Sequence, residues 1–243
     1  MLLTRTPEGI SIEHHGIDTP IRHIIGIGRN YAEHAKEQGA EIPTRPMLFT
    51  KNIASLCLSG EDIVIPKACQ EKPQVDFEGE LGVIVGTQRG ADMSGPLVKN
   101  VSVDRALSCV LAYCVANDVS ARWWQKEGGG GQFYRGKSFD TFCPLGAIVP
   151  AASIKDPQSL KLKTSVNGVV MQDGSTKDMV FSVATLISEI SKGHTIVPGT
   201  LILTGTPSGV GFARNPPVYL KHGDRVEIEI EHVGSLVNGV VAE

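Results

Sequence analysis

A mixed β fold with few helices, in the α+β class, is predicted by the sequence on three observations. The chain of 243 residues carries many short β-branched apolar runs. It is punctuated by 27 glycines and 14 prolines. Its strand-like runs do not alternate with helical stretches of roughly ten residues or more, which argues against a doubly wound parallel sheet. A hydrophobic share of 41% is enough to bury a core, and the length suits one large domain or two small ones.

Residues 1–20 read as a short N-terminal extension or hairpin, followed by a single domain over 21–243. In that domain the apolar runs at 22–27, 47–50, 62–65, 80–86 and 109–116 read as strands. So do those at 160–166, 168–172, 200–204, 225–231 and 235–241. Asn167-Gly168 and Asn238-Gly239 are hairpin signals, because both residue types tolerate positive φ. A helix is expected over 30–38, with Asn30 as cap and Gly39 as stop. A turn of helix fits 103–107, and another helix fits 120–126 behind a Ser120 cap. The clearest helix spans 182–192: Ser182 caps it, Val183, Leu186, Ile187 and Ile190 form one stripe, and Gly193 ends it. Gly128 to Gly131 has no fixed backbone preference and reads as a flexible loop.

The net charge of −3 implies neither a nucleic-acid partner nor a membrane surface. No apolar run reaches the length of a membrane span. The N-terminal segment is too short and too polar for a signal peptide, and Glu8, Glu13 and Asp18 speak against a transit peptide. Cys57, Cys69, Cys109, Cys114 and Cys143 form no CxxC pair and are odd in number, as in a reduced intracellular protein, cytoplasmic or mitochondrial.

Two motifs are set aside. Gly131 to Ser138 matches GxxxxGK[ST] literally. A phosphate loop follows a buried strand and opens a helix, whereas this stretch follows a glycine tract and runs into Pro144. Gly26-Ile27-Gly28 lacks the third glycine of a dinucleotide fingerprint, since Tyr31 takes its place, and a tight turn accounts for it.

The chemistry concentrates in acids. Glu78 and Glu80 are two apart on a strand and share a face. Asp118 follows the apolar run 110–116, where a buried strand emerges. Gathered together, these carboxylates repel one another unless a positive charge compensates them, and a hard divalent cation is the simplest compensation. Three such ligands leave about three positions of an octahedral magnesium shell for water or substrate. Equally, Glu78 and Glu80 could be solvated strand residues and Asp118 a helix cap. Asp76 is a spare ligand or an acid outside the shell.

His34 and Glu37, at i and i+3, lie on one helical face. A carboxylate beside an imidazole fixes its tautomer and raises its basicity, so the pair could take a proton from water or a carbon acid. An ordinary charged surface helix is the alternative. Lys137 suits an enolate or a carboxylate, or is a solvated loop lysine. Arg29, Arg122 and Gln125 are further polar candidates for holding substrate, and Thr206 lies in the turn that follows the strand at 200–204, where a carboxylate could be held. His194 reads as structural.

Five stretches in this order resemble the fumarylacetoacetate hydrolase family: residues 28–34, 76–81, 117–122, 136–146 and 203–211. The match runs from about Ile24 to the C-terminus. The tail at 215–224 and the segment at 122–135 look most like the acylpyruvase and oxaloacetate tautomerase-like members. The resemblance implies a β-roll or β-sandwich of that family's type and a homodimer. It implies Mg2+ or Mn2+ held by Glu78, Glu80 and Asp118, and a mobile lid in which His34 and Glu37 activate water. Lys137, Arg29, Gln125 and Thr206 would surround a 2-oxo acid of β-dicarbonyl character. The reaction implied first is hydrolytic C–C cleavage of acylpyruvates or fumarylpyruvate through an enolate that the ion stabilises. The alternatives are oxaloacetate keto–enol tautomerisation or decarboxylation, and a non-catalytic protein that binds metal and 2-oxo acid.

Overall fold

The computed structural model describes residues 1–7, 9–14 and 16–243. Glu8, one of the acids weighed against a transit peptide, lies outside them. Strands β1 (Leu2–Thr6), β2 (Gly9–His14) and β3 (Ile17–Pro20) form a small antiparallel sheet. Then come β4 (His23–Gly28), α1 (Ala32–Glu37), β5 (Met47–Lys51), β6 (Leu56–Leu58), β7 (Ile63–Ile65) and α2 (Lys67–Gln70). The middle of the chain supplies β8 (Val75–Asp76), β9 (Gly79–Val85), α3 (Val103–Ala106), β10 (Val110–Asn117), β11 (Ser120–Ala121), α4 (Arg122–Gln125) and α5 (Phe133–Lys137). The remainder is β12 (Cys143–Pro150), β13 (Lys161–Val166), β14 (Val169–Ser175), α6 (Val183–Ser191), β15 (Thr200–Leu203), β16 (Arg225–Ile230) and β17 (Gly234–Ala242).

A mixed sheet of seven strands, ordered β5-β4-β15-β9-β10-β12-β6, carries the site. A sheet of five, β14-β13-β16-β17-β7, packs against it. The mixed β class with few helices is what the sequence predicts. β9 shows why one sheet serves two layers. Leu81, Val83 and Val85 join Leu162, Ile228 and Leu236 of the five-stranded sheet in the main core. Ile84 points the other way and packs with Leu111, Leu201, Ile10 and Ile12 beneath the N-terminal sheet. Burying each such side chain stabilises the fold by about 1.5–3 kcal/mol. All five cysteines are buried free thiols, and burial pushes Cys143 up to about 12, as expected of packing rather than reactive groups.

Several local expectations need correction. Gly26 and Gly28 lie in β4 and not in a turn; a Cβ there would sit 2.1 Å from the Phe49 ring and 2.2 Å from Met47 Cε on β5. Asn238-Gly239 is no hairpin: it lies inside β17, where the Asn238 amide donates to Leu58 O and Glu61 O. Asn167-Gly168 does turn a hairpin, with φ of +52° and +77° between paired Val166 and Val169. Asn30 does not cap α1; Tyr31 holds that position, and the Asn30 amide donates to Phe181 O and Thr204 O. Ser120 opens a two-residue strand ahead of α4, and its hydroxyl donates to Asp118 O. Ser182 caps α6 through the Thr185 N–H at 3.1 Å. β12 was not expected, because prolines bracket it. It tolerates them by pairing with β10 and β6 over different stretches.

Candidate active site

The register of β9 and β10 sets the site. Asn117 pairs with Gly79 and Ala116 with Glu80, so the acids meet where both strands leave the sheet. The junction is locked by two bonds: Glu78 N–H donates to Asn117 Oδ1 at 3.0 Å, and Asp118 N–H donates to Glu78 O at 2.9 Å. Glu78, Glu80 and Asp118 are buried, and one oxygen from each lies within 4.8 Å of the others. They are thus not solvated strand residues.

Cations surround them. Lys137 Nζ, brought in by α5, donates to Glu78 Oε2 at 2.7 Å and Asp118 Oδ2 at 2.6 Å. Lys51, the last residue of β5, donates to Asp118 Oδ1 and to Phe142 O. The Arg122 guanidinium pairs with Glu78 Oε1 at 2.7 Å and Asp76 Oδ2 at 2.7 Å, and donates to Gln125 Oε1 at 3.0 Å. Asp76 is therefore turned away from the cluster as the counter-ion of Arg122. Its oxygens also accept the Gly211 and Phe212 N–H groups.

Four buried carboxylates face three buried cations here. Burial alone would push Glu78 up, but the Lys137 ammonium and Arg122 guanidinium reverse this and hold it at about 2. Glu80 has no lysine or arginine partner among the described residues and accepts only the Gly205 N–H, at 2.7 Å. Burial, then Asp118 and Glu78, push its carboxyl well above the ordinary range. Burial would lower Lys137, yet Asp118 and Glu78 raise it and keep it charged. An all-oxygen donor set short of one positive charge fits a divalent metal.

His34 and Glu37 face this cluster from α1. Glu37 Oε1 sits 2.6 Å from His34 Nδ1, and its Oε2 accepts the Gly209 N–H at 2.9 Å. A carboxylate only accepts, so Nδ1 carries the proton and Nε2 keeps a lone pair. Gln38 Nε2 lies 2.8 Å from that nitrogen. Thr206 Oγ1 donates to Gly79 O and accepts from Gln172 Nε2, so its hydroxyl is already committed. His194 is exposed, away from the site.

A cavity of about 20 Å³ is lined by His34, Glu78, Lys137, Thr206, Arg29 and Gln38, room for about one water. A cleft of about 470 Å³ opens beyond it, lined by Arg122, Lys126, Glu127 and Phe212 among others. Arg29, Gln38, Gln125 and Phe133 line both and form the wall between them. Arg29 takes φ +56°, and its Nε is buried with no partner. A side chain held on such a backbone is strained and aimed, a pattern found at ligand sites.

Lys51 and Gln38 escaped the sequence reading. Lys51 merely ends an apolar run, and no spacing marks it. Gln38 stands at i+4 from His34 on the same face, a spacing that could have found it.

The β-roll and its three buried carboxylates define a scaffold whose donor set could hold a divalent metal. The chain belongs to the fumarylacetoacetate hydrolase family: the family described as "Fumarylacetoacetate (FAA) hydrolase C-terminal" matches residues 23–241. It is 44% identical over 219 residues to the human protein named "Oxaloacetate tautomerase FAHD2A, mitochondrial", covering 90% of this chain and 66% of that one. A Dictyostelium discoideum relative, "Fumarylacetoacetate hydrolase domain-containing protein 2 homolog", is 43% identical, covering 95% of this chain and 76% of the relative. This chain thus spans about two thirds of the human relative's length. Among solved structures, fumarylpyruvate hydrolase from Pseudomonas aeruginosa in complex with Mn2+ and pyruvate superposes with a TM-score of 0.83, at 26% identity and over 100% of both chains. Fumarylacetoacetate hydrolase from Exiguobacterium antarcticum gives a TM-score of 0.78 at 39% identity, over 92% of this chain and 76% of that one.

Proposed function

We propose that this chain is a Mg2+- or Mn2+-dependent enzyme that interconverts the keto and enol forms of oxaloacetate through an enolate. The observation that carries this is the cluster of Glu78, Glu80 and Asp118 beneath a histidine oriented by Glu37. Glu78, Glu80 and Asp118 would hold the ion, which when bound would supply the positive charge that makes the neighbouring carbon acid stronger. His34 Nε2 takes the proton from the carbon between the two carbonyls and returns it to the enolate oxygen, with Glu37 steadying the imidazolium. Lys137 lines the same cavity and offers its ammonium to the developing oxyanion. Arg29 and Gln125 hold the substrate's far end, and Thr206 shapes the cavity through its backbone and methyl group.

The relatives named oxaloacetate tautomerases favour this reaction. Hydrolytic C–C cleavage of acylpyruvate-type substrates is the second reading, favoured by the fumarylpyruvate hydrolase neighbour. One experiment tests both: a magnesium-containing assay of oxaloacetate enol loss, pyruvate release and acylpyruvate cleavage, run side by side. If chelated, dialysed protein kept full activity on every 2-oxo acid, the reading would fail. Binding of metal and oxalate with no turnover would indicate a non-catalytic protein instead.

We also propose a homodimer. The apolar groove of Ile25, Leu48, Phe49 and Ile196, with Leu48 half exposed, offers a face for a second copy. Light scattering on the purified protein checks this. The relatives' names favour a mitochondrial setting, with the cytoplasm as the other expectation.

A further inference from the structure

We propose that Gln38 is a specificity-determining residue that keeps hydrolytic water away from His34 and so turns the site toward proton transfer at carbon. This deepens the proposed function and rests on its reading of His34 as the base. Glu37 takes Nδ1–H, so Nε2 is the ring's single acceptor, and the Gln38 amide nitrogen lies 2.8 Å from it. That is the distance at which a water would donate to the same lone pair before attacking a carbonyl. The amide therefore occupies the position that hydrolysis requires for its nucleophile. Gln38 also stands in the wall between the small inner cavity and the outer cleft, on the path by which solvent would enter.

The two reactions make different demands on this position. In tautomerisation Nε2 takes a proton from the substrate carbon, the C–H pair becomes the enolate π bond, and the proton returns to oxygen. The substrate alone must displace the amide. In hydrolysis Nε2 takes a proton from water, whose oxygen bonds to the acyl carbonyl carbon. The C–C bond then breaks with its electron pair on the pyruvate carbon, which takes the proton to give pyruvate and a carboxylic acid. Substrate and water must then fit beside the ring together. The Gln38 amide, standing beside the ring at 2.8 Å from Nε2, opposes that.

Gln38 is half-buried at the end of α1, where truncation leaves the core intact. The test compares Gln38→Ala, which opens the space, with Gln38→Leu, which fills it without a donor. The readout is the ratio of acylpyruvate cleavage to oxaloacetate enol loss, because a folding defect lowers both rates together. The ratio should rise about tenfold or more in Gln38→Ala and stay within about twofold of wild type in Gln38→Leu. In 15N spectra of the histidine ring, both variants should move the Nε2 resonance toward that of a free pyridine-type nitrogen. An unchanged ratio in Gln38→Ala, an equal rise in both variants, or an unmoved resonance would overturn the proposal. His34→Ala separates the two readings: if it keeps wild-type turnover, the base assignment is lost, while the ring spectra still decide the Gln38 contact.

Discussion

Gly209 donates its backbone N–H to Glu37 at 2.9 Å, so helix α1 is tied to the 203–211 loop through the residue that orients His34. Glu37 thus joins the loop to the His34 ring within one chain of hydrogen bonds. Gly209 has φ +103°, and a Cβ there would sit 2.3 Å from Met171 O. Gly209→Ala must therefore move the loop and lengthen the bond to Glu37. We expect turnover to fall about tenfold or more, with Mg2+ affinity by calorimetry close to wild type. Unchanged turnover would mean that the tie to Gly209 does not position the base.

The raised Glu80 carboxyl makes metal binding and stability depend on pH in opposite ways. An ion at the cluster displaces the Glu80 proton, so Mg2+ affinity should climb as pH rises above the ordinary glutamate value of 4.5. Metal-free protein holds a proton there that the unfolded chain has lost. Its contribution to stability is fully present below 4.5 and fades as pH rises through the elevated folded value. Glu78, held at about 2, works the other way: its contribution is present above 4.5 and lost as pH falls toward 2. Melting temperatures across pH, with and without Mg2+, read both trends. Glu80→Gln should flatten the affinity trend, and an unflattened one would contradict the assignment.

Where short-range rules act, the sequence was a good guide. The period-2 run Glu80 to Val85 gave both faces of β9, and His34 with Glu37 showed at helical spacing. Long-range partnerships were hidden. Lys51 meets Asp118 across 67 positions, and Asp76 meets Arg122 across 46, each by sheet topology rather than local pattern. Asn238-Gly239 misled for the same reason, since a local turn preference yielded to pairing along β17 and to carbonyls presented by residues 58 and 61.

Asp76 is expected to stabilise the site from outside the metal shell. It anchors Arg122, which in turn pairs with Glu78. Asp76→Asn leaves a buried guanidinium short of its counter-charge, and such a break costs about 3–5 kcal/mol. We expect a clearly lower melting temperature and a smaller loss of Mg2+ affinity than in Asp118→Asn. The reverse order of affinities would place Asp76 among the ligands.

Lys51 tests the charge balance itself. Its side chain is fully buried and paired with Asp118, in a cluster already one positive charge short. Lys51→Met should lower the melting temperature of the metal-free protein, since it strands Asp118 Oδ1 and the Phe142 carbonyl. It also leaves a second uncompensated negative charge, which a divalent cation neutralises. The rise in melting temperature on adding Mg2+ should therefore be larger in Lys51→Met than in wild type. A rise no larger than wild type would mean that Lys51 serves Asp118 by holding it in place rather than by its charge.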